Sequence, residues 1–140
     1  LIYAADRAHH IHEVVRPALE RGEVVLQDRY LDSSVAYQGA GRVLDPSEVR
    51  EVSLWATEGL MPDVTVLLDV PADIGLARQA SEERAYDRLE AEALEFHERV
   101  RDSYLAIAQE NPDRVVVIDG TAAIDEVHRA VLERVSQALD

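Results

Sequence analysis

Apolar residues along this chain fall into two patterns, short continuous blocks and longer stretches with helical spacing. Three blocks are of the first kind: Val24-Val25-Leu26, then Val64-Thr65-Val66-Leu67-Leu68-Asp69-Val70, then Arg114-Val115-Val116-Val117-Ile118-Asp119-Gly120. Turn residues precede them (Gly22, Pro62-Asp63 and Asn111-Pro112-Asp113), and each block reads as a buried strand of a parallel sheet. Helical spacing fills the intervals. Residues 3–20 form a first helix, with Ile2, Ala5, His9, Val15 and Leu19 on an approximate stripe that Pro17 kinks without ending. Asp45-Pro46-Ser47-Glu48 starts another, since proline suits the first turn and acids suit the helix dipole. It carries Val49, Val52, Leu54, Trp55 and Ala56 until Gly59 stops it, and Trp55 is expected in the core or at a subunit interface. Pro71-Ala72-Asp73 opens a third, with Ile74, Leu76 and Ala77 inward. Residues 92–109 carry Leu94, Phe96, Val100, Tyr104, Leu105 and Ile107, and residues 123–139 carry Ile124, Val127, Val131, Val135 and Leu139 along one face. Strands alternating with helices predict an α/β fold built on a parallel sheet, in a single domain over residues 1–140.

Composition narrows the partners. With 47% apolar residues a core is available, and no apolar run is long enough to span a bilayer. The absence of cysteine removes disulfides and thiolate metal sites and is compatible with a cytoplasmic location. Twenty-eight acidic against 14 basic residues give a net charge of −14, which disfavours nucleic acid and anionic membranes as partners. All 14 basic residues are arginine, so an anionic ligand must be met by a local arginine cluster working against the overall field. His9, His10 and His12 lack a metal-ligand pattern, and no metal site is expected of the side chains themselves.

Candidate chemistry lies first at Asp28-Arg29-Tyr30, where the first apolar block ends. Open α/β sheets bind ligands beyond the carboxyl ends of their strands, so a carboxylate and a guanidinium there can hold a phosphate or a metal-bound water. An Asp-Arg ion pair at the surface is the plainer alternative. Behind them Ser33, Ser34, Tyr37 and Gln38 place hydroxyls, a ring and an amide on about two helical turns. Tyr3 and Arg7, four residues apart, share a helix face and together suit a nucleobase, though a packed tyrosine beside a solvated arginine has the same spacing. Gly39-Ala40-Gly41-Arg42 reads as a turn with Arg42 as a second cation at the site. In residues 78–92, Arg78, Arg84 and Arg88 stand among small and charged residues, the composition of a mobile surface segment or of a solvated helix end.

Taken together, these stretches resemble the thymidylate kinase family. Asp28-Arg29-Tyr30 followed by Ser33, Ser34 and Ala36-Tyr37-Gln38-Gly39 is similar to its signature. Leu1-Ile2-Tyr3-Ala4-Ala5-Asp6-Arg7 resembles its thymine-binding helix, and Asp87-Arg88-Leu89-Glu90 with Phe96-His97-Glu98-Arg99-Val100-Arg101 resembles its lid and the helix after it. The resemblance implies a three-layer P-loop kinase-like fold, with helices on both faces of the sheet, that phosphorylates thymidylate (dTMP) from ATP with Mg²⁺. It implies that Tyr3 stacks on thymine, Arg7 bonds its carbonyl, Ser34 together with Gln38 reads the remaining base edge, and Ser33 is a further substrate-binding residue. By the same resemblance Arg29 holds the acceptor phosphate, Tyr37 packs under the sugar, and Asp28 orients Mg²⁺-bound water. The lid spans about residues 78–92, with Arg84 and Arg88 as its catalytic cations and Arg78 at its hinge; Gly120 and Thr121 touch adenine. A cytoplasmic homodimer is the family's habit.

The 140 residues contain neither lysine nor a Gly-x-x-x-x-Gly-Lys-Ser/Thr stretch. In the family's sheet the strand before that loop lies between those ending at Asp28 and Asp69. The chain is therefore expected to be the C-terminal two-thirds of a longer kinase, or to take the missing element from elsewhere, and with the N-terminal strands missing to be incomplete and inactive alone. Another nucleoside or nucleotide kinase, and a non-catalytic thymidylate-binding or interaction remnant, are the competing readings.

Overall fold

Pro17 sets the course of the first helix. In the computed structural model, which describes residues 1–40, 44–79 and 88–139 (for 40, 79 and 88–93 the backbone only), α1 (Ile2–His10) runs into a π-helical turn, Ile11–Val15, and on into α2 (Arg16–Glu20). Proline lacks the N–H of the helix ladder and its ring crowds the carbonyl four residues back, and the wider π turn just ahead accommodates both defects. The extra residue in that turn also rotates the inward face. Ile11, Val15 and Ala18 are buried, whereas Ile2 is 86% and Leu19 42% exposed. Of the stripe expected from a uniform helical period, only Val15 is buried. Gly22, at φ +74°, ends the helix in the left-handed conformation, with its N–H on the Leu19 carbonyl and that of Glu23 on the Ala18 carbonyl.

Residues 24–26 do not form the expected buried strand. Val24 is 71% and Leu26 97% exposed, and no segment among the described residues pairs with them. Apolar, β-branched residues make a strand only when a neighbour takes up their backbone groups. The chain instead reverses at Arg29-Tyr30 into α3 (Leu31–Ser34), which continues as a π-helical segment, Val35–Ala40. Leu31, Val35 and Ala36 anchor this stretch in the interior. It packs on α4 (Pro46–Ala56), whose start is capped as the sequence predicts: Asp45 accepts from the Ser47 N–H at 2.8 Å. Gly39 lies so close to Pro46 that a Cβ there would sit 2.9 Å from the proline Cα. Trp55 is 83% exposed and is not a core residue; α4 turns Ser53 inward instead, its hydroxyl donating to the Val49 carbonyl. These elements make one compact unit, Leu1–Met61.

The second unit, Pro62–Asp140, holds the sheet. Strands β1 (Thr65–Asp69) and β2 (Val115–Asp119) are parallel and in register from Thr65↔Val115 to Asp69↔Asp119. The crossover between them carries α5 (Ala72–Gln79) and α6 (Arg88–Glu110), and α7 (Ile124–Leu139) follows β2. Val100, Ile107 and Ala108 of α6, which packs on β2, are buried, as are Val115 and Ile118 of β2; of the apolar residues expected along α6, Leu94, Phe96, Tyr104 and Leu105 are only half-buried. Asn111 ends α6 by donating its side-chain amide to the Ile107 carbonyl at 2.8 Å. The result is the expected α/β class with a parallel sheet, of two strands among the described residues.

Candidate functional site

In the first unit the site is built on the reversal into α3. Tyr30 is extended and precedes the helix, while Arg29 sits at φ +63°, a left-handed conformation that costs a non-glycine residue roughly 1–2 kcal/mol. The Gln27 side-chain amide donates to the Arg29 carbonyl at 3.2 Å, and the Arg29 guanidinium lies over the Tyr37 ring, 5.1 Å from its centroid.

Arg7 reaches the same helix from α1. Its NH2 donates to Ser34 Oγ at 2.9 Å and, at 3.4 Å, to the Tyr30 carbonyl, and its Cζ stands 5.6 Å from the Tyr30 ring centroid. Burial lowers the Arg7 pKa from its ordinary value, with the charges of Tyr30 and Asp6 acting the other way; a guanidinium stays charged nonetheless. Its NH1 is shut from solvent and has no hydrogen-bond partner among the described residues. Burial raises the Tyr30 phenol, which donates to the Leu60 carbonyl at 2.8 Å and so fixes the ring beside Arg7. Ser34 is buried, Ser33, Tyr37 and Gln38 are half-buried, and Asp28 is exposed. Tyr3 is 64% exposed, one turn before Arg7 on α1.

In the second unit the carboxyl ends of β1 and β2 gather a separate set. Arg101 of α6 grips Asp69 in a two-pronged fork, Nε to Oδ1 at 2.6 Å and NH2 to Oδ2 at 2.9 Å. That grip holds the Asp69 carboxyl below the usual carboxylate range and raises Arg101. Asp119 Oδ1 accepts from the Thr121 N–H at 2.8 Å and from its hydroxyl at 2.6 Å, which lowers the Asp119 pKa and closes the turn after β2. Gly120 donates to the Asp69 carbonyl, and a Cβ on it would fall 2.5 Å from Val70 Cγ2, so the close approach requires glycine. Arg78 of α5 donates to the Gly120 carbonyl at 3.2 Å.

Of the residues predicted from sequence, the structure brings Arg7 to Ser34, Arg29 to Tyr37, and Arg78 to the turn of Gly120 and Thr121. Arg42, Arg84 and the side chain of Arg88 lie outside the described residues. No cluster of three or more His, Cys, Asp or Glu suited to a metal occurs among the described residues. Sequence reasoning assigned no role to Tyr30 or to the Asp69–Arg101 fork. Tyr30 was flagged only by its place beside Arg29, and Arg101 stands 32 residues from Asp69 with no local signal.

A parallel sheet with polar side chains gathered beyond its carboxyl ends is the arrangement of P-loop kinase-like folds. A family model described as thymidylate kinase matches residues 1–131, and the chain belongs to that family. A thymidylate kinase of Leifsonia xyli subsp. xyli is 66% identical over 127 residues, 91% of this chain and 60% of the relative. One from Clavibacter michiganensis subsp. michiganensis is 57% identical over 139 residues, 99% of this chain and 65% of the relative. One from Pediococcus pentosaceus is 47% identical, covering 100% of this chain and 68% of the relative. The chain thus spans about 60–65% of the length of the first two curated relatives.

Proposed function

We propose that the protein carrying this chain is a thymidylate kinase, transferring the γ-phosphoryl group of ATP to the 5′-phosphate of thymidylate. The observation that carries the reading is Arg7. It is fixed by Ser34 and packed beside Tyr30, yet one of its buried nitrogens has no acceptor among the described residues. An unpaired buried N–H costs about 1–3 kcal/mol, which an exocyclic carbonyl of thymine offsets when bound. In this reading Tyr3 stacks on the base, Ser34 with Gln38 reads its edge, Ser33 lines the same substrate site, and Tyr37 lies against the deoxyribose. Arg29 holds the 5′-phosphate, for which a planar fork is suited. Phosphoryl transfer depends on such positioning and on charge neutralisation more than on covalent catalysis.

Mg²⁺ is commonly held by substrate phosphates together with one or two carboxylates, and the exposed carboxylate of Asp28 fits that modest demand. When bound, the ion neutralises charge on the transferring group. Gly120 and Thr121 contact adenine, and Arg78, on the Gly120 carbonyl, is the hinge of a lid over residues 78–92 that carries Arg84 and Arg88. Both units serve one kinase domain in this reading. A homodimer covers the exposed Trp55 and its helix neighbour Val52. No helix among the described residues is long and apolar enough to cross a membrane; a cytoplasmic location is part of the same reading.

Arg7→Ala in the full-length protein tests the base contact. Loss of a charge-assisted hydrogen bond of this kind costs about 1.5–3 kcal/mol, so thymidylate affinity falls by roughly tenfold or more while ATP affinity is unchanged. Equal weakening of both ligands, or undiminished thymidylate binding, contradicts the assignment.

A further inference from the structure

We propose that Tyr37 is a positioning residue for Arg29, so that the ring against the sugar also sets how well the acceptor's phosphate is gripped. The proposal rests on the reading of Arg29 as the phosphate-holding arginine.

Three observations converge on it. Arg29 is exposed, and a long exposed side chain normally samples many rotamers, each loss of which opposes binding. Its backbone is held at φ +63°, with the carbonyl tied by the Gln27 amide, so the direction in which the side chain leaves the chain is fixed by the reversal. Its guanidinium then comes to rest over the Tyr37 ring at 5.1 Å, within the range in which the negative face of an aromatic ring attracts a cation. Tyr37 stands on the π-helical segment Val35–Ala40, between the buried Ala36 and Gly39, which is seated on Pro46. That anchoring makes the ring a fixed platform and Arg29 the movable partner. A stacked guanidinium keeps its edge N–H groups free to fork onto a phosphate, because the ring engages the flat face and the phosphate engages the rim. The ring preorganises the fork, and the ordering cost is met before the acceptor arrives.

The two roles of Tyr37 separate by ligand. A ring that only packs against the sugar contributes alike to thymidine and to thymidylate. A ring that positions Arg29 contributes to thymidylate alone. The measurement is the ratio of thymidine to thymidylate dissociation constants, by calorimetry on the full-length protein, with melting midpoints alongside. Arg29→Ala is expected to collapse the ratio. Tyr37→Leu, which keeps an apolar side chain and removes the aromatic face, is expected to lower it about two- to fivefold, and Tyr37→Phe to preserve it. In the background of Arg29→Ala, Tyr37→Leu should change the ratio no further.

Failures are distinguishable. If Arg29→Ala leaves the ratio intact, the phosphate assignment of Arg29 falls and the proposal with it. If Arg29→Ala collapses the ratio but Tyr37→Leu weakens both ligands equally, Arg29 stands and the positioning role of Tyr37 is refuted. Should Tyr37→Leu not fold, ring-fluorinated phenylalanines at position 37 keep the shape while draining charge from the face. A ratio that falls stepwise with fluorination supports the proposal, and a flat series overturns it.

Discussion

A non-glycine residue held at φ +63° needs something to hold it, and at Arg29 both ends of the residue are engaged: the carbonyl by Gln27 and the guanidinium by Tyr37. The strain belongs to the backbone, whereas the usefulness belongs to the side chain, and substitution separates them. Glycine relieves roughly 1–2 kcal/mol of left-handed strain at a flexibility cost of about 0.4–1 kcal/mol, so Arg29→Gly should melt above Arg29→Ala. Both variants should lose the thymidylate preference over thymidine equally. A Gly variant less stable than the Ala variant shows that the conformation is not strained at this position. Arg7 poses the complementary case, with a relaxed backbone inside α1 and a side chain left one hydrogen bond short. Its burial disfavours the charged form, which makes an acceptor from a ligand more valuable there than at the surface.

Among the elements, the Asp69–Arg101 fork ties α6 to the carboxyl end of β1. The side chains are 23% and 36% exposed, so Asp69→Asn should cost only about 1 kcal/mol of stability. The pH dependence has a definite sign. Asp69 titrates below its ordinary value near 3.8, so its stabilisation is complete above that value and is lost as pH falls through the lowered folded one. Acid unfolding of Asp69→Asn should accordingly be less steep below about pH 4 than that of the parent; identical acid limbs contradict the account. The elements of both units show what a sequence discloses. Strands 65–69 and 115–119 were legible because each has its partner within the chain, and the start of α4 was legible because Asp45 and Pro46 act locally. Residues 24–26 carry an equally good apolar pattern and form no strand, because pairing is not a property of the segment itself. The inward face of the first helix departs from the uniform stripe because a π turn before Pro17 breaks the helical period. At the site, the family's motifs marked Arg7, Arg29, Ser34 and Tyr37, but the stacking of Arg29 on Tyr37 depends on a positive φ that no pattern announces.

At the scale of the whole molecule, a net charge of −14 is countered by arginine alone among the fully charged basic side chains; in the first unit Arg7 engages Ser34 and Arg29 engages Tyr37, and in the second Arg78 donates to the Gly120 carbonyl. A background of this sign repels a phosphate until it is within reach of those side chains, which favours a site that grips locally over one that attracts from afar. The chain belongs to the thymidylate kinase family and spans about 60–65% of its first two curated relatives, and the proposed activity is tested on the protein that carries it. The central claim is tested by incubating that protein with ATP, Mg²⁺ and a panel of nucleoside monophosphates and following ADP and nucleoside diphosphate together. The account predicts stoichiometric thymidine diphosphate and ADP with thymidylate, and much slower turnover of its ribo-analogue and of monophosphates with other bases. Equal turnover of another base, or ATP hydrolysis without phosphorylation of thymidylate, contradicts it.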